Sequence, residues 1–273
     1  VAPVIDQNTN MMQSLRLHVV LRTCDSNEVH QDWRRRYCHM PKSEIVVGCV
    51  RSLVRSIQAV QNHTVELTVL DDHSSSATLA QLRDLIQPVN ATLIQLAHSG
   101  YNHSAHQQWI HCRDSHTDLV YSTEDDYLHE TGAVQAMIDS WQIFDQKMNH
   151  TPVVLYPFDA PEEYANPQTT CYVVHGSDRH WRTGVFSTNT LMCEPKLMQQ
   201  HWDLFETLAV KYNGDYLNPR QEHWEEANTI WRIWNQGPAV RFNPIPSLAL
   251  HMQFDEQLDP FINWQSWWNK YAV

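Results

Sequence analysis

Glycine is scarce in this chain, with 7 among 273 residues. The turn after the first apolar strand, Thr23-Cys24-Asp25-Ser26-Asn27, has neither a Gly nor a basic residue, so a backbone cradle for a triphosphate is missing there. Positive charge is also short. Nineteen Lys and Arg stand against 31 Asp and Glu, a net charge of -12, which argues against a nucleic-acid backbone as partner and against a polybasic membrane patch. No apolar run approaches the ~20 residues that span a bilayer, and no charged stretch leads into a hydrophobic signal core, so a soluble, cytoplasmic protein is expected. The six cysteines are scattered without a CxxC pair or framework spacing, which reads as reduced thiols. Tryptophan and histidine are abundant instead, at 11 and 17.

Alternating periodicities organise the first half. Leu15 to Arg22 predicts a strand and residues 44 to 60 a helix capped by Ser43, while Val65 to Leu70 predicts a strand that ends abruptly in Asp71-Asp72-His73-Ser74-Ser75. A helix over 77–87, a strand over Ala91 to Leu96, a helix over 103–113 and a strand over Asp118 to Ser122 follow, the last running into Glu124-Asp125-Asp126. The order βαβαβαβ with short turns predicts an α/β fold, a mostly parallel sheet with helices on both faces. Ligands of such sheets bind beyond the carboxyl ends of the strands, where both acidic clusters fall.

The second half is more mixed. A helix over 130–144, strands over Val153 to Phe158, Cys171 to His175, Gly184 to Ser187 and Ala239 to Phe242, and helices over 196–211 and 222–235 are expected. The spacing of Trp264, Trp267 and Trp268 marks one face of a packed C-terminal helix. Histidines 98, 103, 106, 111 and 116 lack any zinc spacing and read as a solvated helix face.

Three adjacent carboxylates at 124–126 repel one another unless a cation or solvent relieves them. Oxygen ligands on a short loop suit Mg²⁺ or Mn²⁺, which keep positions open for phosphate oxygens. Leu70-Asp71-Asp72-His73-Ser74-Ser75 resembles the DDGS turn of family 2 glycosyltransferases, with His73 at the Gly. Val120 to Asp126 is similar to the strand and DxD motif of that GT-A fold, with Glu124 at the first acidic place. Glu225 to Gly237 resembles the family's ED helix, and Pro246 to His251 the segment that returns a His to the metal.

The resemblance implies a GT-A type, Rossmann-like fold closed by a C-terminal wrapping segment. It also implies transfer of a sugar from a UDP or GDP type nucleotide-diphosphate sugar to a hydroxyl of a glycan or other acceptor. Asp126 and His251 would be the metal ligands. Thr23, Asp71, Asp72, Glu124, Asp125 and Arg182 would be donor-contacting residues. Glu226, with Glu222 and Glu225 competing, would be the base that takes the acceptor proton, with inversion at the anomeric carbon. Arg182-Thr183-Gly184-Val185-Phe186 resembles the acceptor-side segment. Residues 1–273 are expected to form one domain: a nucleotide-binding half to 130, an acceptor-side half over 131–243, and a C-terminal segment over 244–273. A sugar nucleotidyltransferase and a non-catalytic carbohydrate-binding module are the competing functions.

Overall fold

The computed structural model describes residues 13–25, 40–165, 170–186, 189–211, 226–253, 259 and 261–273. Strands β1 (Arg16–Thr23), β2 (Thr64–Asp71), β3 (Ala91–Gln95) and β4 (Leu119–Glu124) alternate with helices α1 (Lys42–Gln58), α2 (Ser76–Ile86) and α3 (Tyr101–Arg113). The strands pair β3-β2-β1-β4, all parallel. β1 and β2 have partners of this set on both sides, and the apolar run of β1 is buried on both faces.

Beyond β4 come β5 (Tyr127–His129), α4 (Ala133–Lys147), β6 (Val153–Leu155), α5 (Glu162–Ala165), β7 (Val173–His175), β8 (His180–Thr183) and β9 (Leu191–Cys193). Next are α6 (Pro195–Gln200), α7 (Trp202–Lys211), α8 (Arg232–Asn235), β10 (Val240–Ile245), β11 (Ala249–His251), α9 (Trp264–Trp267) and a π-helical turn, Trp268–Ala272. The nine-stranded sheet runs β3-β2-β1-β4-β9-β6-β10-β8-β7. Strand β9 is antiparallel to β4 and β6, and β8 to β10 and β7, so the other seven strands point one way. The expected mostly parallel sheet is present, with α1, α2 and α4 packed on one face and α3, α6 and α7 on the other.

A separate two-stranded ribbon pairs β11 antiparallel to β5, with His251 opposite Tyr127. The C-terminal turn packs on α1 where Gly48 leaves room. A Cβ there would come within 2.4 Å of the Trp268 ring. Arg55 Nη1 donates to the Tyr271 carbonyl at 3.3 Å and Arg51 donates to the Ala272 carbonyl. The Trp264, Trp267 and Trp268 face is thus packed against the β5–β11 cluster, as its spacing predicts.

Several expectations are corrected. Ser43 does not cap α1. The helix begins at Lys42, because the Pro41 carbonyl accepts from the Glu44 and Ile45 amides, and Pro41 needs no amide partner of its own. The helix expected over 196–211 breaks at His201, which lets Trp202 stack on His106 with ring centroids 5.7 Å apart. His106 is therefore half-buried rather than on a solvated face, and burial pulls its pKa down. Residues 184–186 are not a strand, since Val185 and Phe186 give their amides to a carboxylate instead of a ladder. Of the helix expected over 222–235, a turn at 226–228 and α8 are seen, and residues 212–225 lie outside the described residues. β5, β8, β9 and β11 were not expected; each is only three or four residues long.

Candidate active site

The run Glu124-Asp125-Asp126 closes β4 and continues past it, with Arg22 on Glu124, Lys42 on Asp125 and, at 4.0 Å, on Asp126, and His251 on Asp126. Glu124 pairs with Arg22, which stands directly across the β1–β4 ladder, and accepts from Asn189 Nδ2 at 3.2 Å. Asp125 takes Lys42 Nζ at 2.5 Å and the Cys24 amide at 2.6 Å. Asp126 faces His251, with Nε2 3.6 Å from Oδ1. Two permanent cations and one imidazole thus relieve the repulsion that the sequence demands be relieved. All of these carboxylates are substantially buried, which strengthens each pairing.

The β5–β11 ribbon brings His251 here. The Met252 amide donates to the Asp126 carbonyl at 2.7 Å, and the His251 ring lies flat on Tyr127, 4.6 Å between centroids and 7° between planes. Burial drives the Tyr127 phenol well above its ordinary range, with the Tyr156 phenol and the Glu124 carboxylate adding to it. It therefore stays neutral, hydrogen-bonded to the Tyr156 hydroxyl at 2.7 Å.

At the end of β2 the two aspartates serve the turn. Asp71 is fully buried and accepts from the Thr23 hydroxyl at 3.0 Å and the Ser74 amide at 3.1 Å. Asp72 accepts the Gly100 amide at 3.0 Å. His73, at the place of the Gly in the resembled turn, has φ 61°. The left-handed backbone that favours glycine is retained there, with a residue that tolerates it better than most. Thr23, Asp71, Asp72, Glu124, Asp125 and Asp126 share one sheet edge, beyond the ends of the parallel strands β1, β2 and β4.

Glu226 is buried on the turn before α8. Its charge reaches the Tyr101 phenol, which burial raises first and the Glu124 and Glu226 carboxylates raise further. Tyr101 lies under the Arg22 guanidinium, 4.4 Å from its ring centroid, and its hydroxyl accepts from Asn189. Glu226 thus lies near the Glu124 end of the acidic run. Glu222 and Glu225 lie outside the described residues.

Arg182 is held away from these groups: buried, it donates to Asp159 Oδ1 through Nε at 2.9 Å and lies 4.1 Å from the Tyr164 ring centroid. The segment after it is clamped by Glu163, whose Oε1 accepts from Val185 N at 2.6 Å, Phe186 N at 3.1 Å and buried Arg241 Nη1 at 3.1 Å. A Cβ on Gly184 would come within 2.5 Å of that oxygen and 2.6 Å of Asn243 Oδ1. Gly184 allows this close approach, and the clamped strand end then meets Trp231 through Phe186 and Trp234 through the Val185 carbonyl.

Lys42, Arg22, Tyr101 and Asn189 escaped the sequence reading. Arg22 was findable, because aligning the ends of two adjacent parallel strands puts it opposite Glu124. Asn189 and Tyr101 carried no local signal. Among the described residues no three His, Cys, Asp or Glu side chains are grouped to enclose a metal. A carboxylate beside an imidazole, Asp126 with His251, is a donor set that fits Mn²⁺ or Mg²⁺ held partly by substrate oxygens.

No protein-family model matches the chain, and a search of curated proteins gives no match. Among solved structures it is similar to the Pyrobaculum calidifontis mannosyltransferase PcManGT in complex with GDP-Man and Mn²⁺, at 13% identity over 68% of this chain, TM-score 0.44. It is similar to S. aureus TarS 1-349 in complex with UDP-GlcNAc, at 11% identity over 84%, TM-score 0.46. It is also similar to M. tuberculosis glucosyl-3-phosphoglycerate synthase, at 13% identity over 67%, TM-score 0.39. The chain spans 46%, 58% and 58% of the lengths of these three proteins. At such identities the chemistry must come from this chain's own residues.

Proposed function

We propose that the chain is a metal-dependent glycosyltransferase, moving a sugar from a nucleotide-diphosphate donor to an acceptor hydroxyl. The observation that carries the reading is the meeting of Asp126 and His251, 125 positions apart, at the sheet edge where ligands of such folds bind. Of the three carboxylates in the run, Asp126 is the one that faces an imidazole, 3.6 Å away, with Lys42 Nζ at 4.0 Å on its other oxygen, and an imidazole is a partner suited to share a divalent ion. Asp126 and His251 would hold Mn²⁺ or Mg²⁺. Such an ion, when bound, offsets the charge that grows on a leaving diphosphate.

The remaining groups divide the work. Thr23, Asp71 and Asp72 shape the donor pocket, with His73 exposed at its lip. Glu124 and Asp125, neutralised by Arg22 and Lys42, flank the metal pair without adding net negative charge. Glu226 is the base that takes the acceptor proton as the hydroxyl attacks, and a single base opposite the leaving group gives inversion. Residues 1–130 would form the donor half, 131–243 the acceptor half and 244–273 the closing segment. Arg182 serves the acceptor half rather than the diphosphate, since its guanidinium is committed to Asp159.

The test is a panel of UDP, GDP and their sugars titrated with and without Mn²⁺ against the wild type and Asp126→Ala. One nucleotide should bind the wild type only with metal, and Asp126→Ala should lose that binding while keeping its circular dichroism spectrum. Failure of every nucleotide at millimolar concentration rejects the transferase. Metal-dependent binding that survives in Asp126→Ala rejects the ligand assignment.

A further inference from the structure

Among the described residues, the large apolar side chains that stay exposed are Tyr164, Tyr172, Val173, Phe261 and Val273. Three of them, Tyr164, Phe261 and Val173, are linked through Arg182. Val173 is paired with Arg182 across β7 and β8, which puts both side chains on the same face. The Arg182 guanidinium lies over Tyr164, and Tyr164 meets the edge of Phe261 with centroids 6.0 Å apart at 70°. The two rings are 46% and 65% exposed.

These rings are displayed by a buried polar frame. The Tyr164 hydroxyl donates to Asp159, a fully buried carboxylate that also holds Arg182. The Asp159 amide donates to Ser247 Oγ at 2.8 Å, Ser247 donates to Asp259, and Asp259 accepts the Phe261 amide at 2.7 Å. One network therefore fixes both aromatic positions. Asp159 follows β6 and Ser247 follows β10, strands parallel to β4, so the frame stands on the same sheet edge as Asp126. From Arg182 the chain runs through Gly184 to Phe186, which packs on Trp231 beside the turn that carries Glu226.

We propose that the Tyr164–Phe261 pair is an acceptor subsite that takes the apolar face of a pyranose ring, so that the acceptor is a glycan. The proposal rests on the transferase reading and names its second substrate. Rigid aromatic rings give large contact area at small entropic cost, and the buried Asp159–Arg182 pair beneath holds the Tyr164 ring in place to receive the C–H face of a sugar. The same surroundings disfavour a membrane: the nearby cations Arg182 and Arg179 are paired with Asp159 and with Glu130 and Asp178, in a chain of net charge -12.

The experiment titrates maltose, cellobiose, mannobiose and chitobiose against the full chain by saturation-transfer NMR, alongside Mn²⁺-dependent nucleotide binding. At least one disaccharide should bind the wild type. Phe261→Ala should weaken it about tenfold, Phe261→Trp should restore it, and nucleotide affinity should not change in either variant. The subsite is overturned if no disaccharide binds the wild type, or if Phe261→Ala binds as well as wild type. It is also overturned if phosphatidylcholine vesicles sediment the wild type but not Phe261→Ala. Saccharide binding without nucleotide binding rejects the transferase reading and leaves the subsite standing; the reverse rejects the subsite alone.

Discussion

Single residues decide whether the acidic edge is chemistry or architecture, and two substitutions separate these roles. Glu226→Gln keeps the size and burial of the side chain while removing its basicity, so nucleotide binding should persist and transfer should fall by 10² or more. A fully active variant would move the base elsewhere, first to Glu222. His129 belongs to architecture. Its Nδ1 faces the Tyr127 carbonyl at 2.9 Å and its Nε2 the Tyr121 hydroxyl at 2.8 Å, and burial pulls its pKa down to about 4. The unfolded chain takes a proton there near pH 6.5, where the folded chain refuses it. The associated stability is complete above about pH 6.5 and falls by about 3 kcal/mol as the pH drops to about 4. His129→Gln should flatten that slope by about one proton, read as denaturant midpoints between pH 7 and 4.5. Parallel curves for the two proteins would mean that another group carries the dependence.

At the scale of elements, the segment after β8 is set by Glu163 and Gly184. Every atom that a Gly184 Cβ would strike belongs to a buried side chain, Glu163, Asn243 or Arg241, so none can swing aside. Gly184→Ala should therefore cost about 1–3 kcal/mol of stability, seen as a lower melting temperature with metal-dependent nucleotide binding retained. A variant that melts with the wild type would show that the segment can shift. This is also where the sequence was hard to read. Strands β1 to β4 and helices α1 to α3 were legible because their apolar periods are long and each ends in a turn residue or an acidic cluster. The Gly184 turn looked like the start of a strand, because nothing local announces that Glu163, more than twenty positions earlier, claims the Val185 and Phe186 amides. The same holds for Arg182: its buried carboxylate partner Asp159 was invisible along the chain.

For the whole molecule, the sheet is continuous but its two ends are assembled differently. The β3-β2-β1-β4 end is built from consecutive units, whereas β9, β6, β10, β8 and β7 interleave distant segments. Order in the first half was therefore predictable from sequence, and order in the second was not. The C-terminal turn closes the assembly on α1, the helix whose first residue, Lys42, holds Asp125. Gly48→Val should force Trp268 off α1, with a loss of about 2 kcal/mol and faster proteolysis within 261–273. An unchanged denaturation midpoint and cleavage rate would mean that Trp268 repacks without strain.

The distance along the chain between Asp126 and His251 has a consequence for biosynthesis. As the polypeptide leaves the ribosome, the four parallel strands at one end can pair long before β11 exists. Throughout that interval Asp126 has no His251 to face and the β5 edge has no β11 to pair with. A nascent chain halted before His251 would then carry paired parallel strands with Asp126 still lacking its imidazole neighbour. Competence would arrive as one late event, when the ribbon closes.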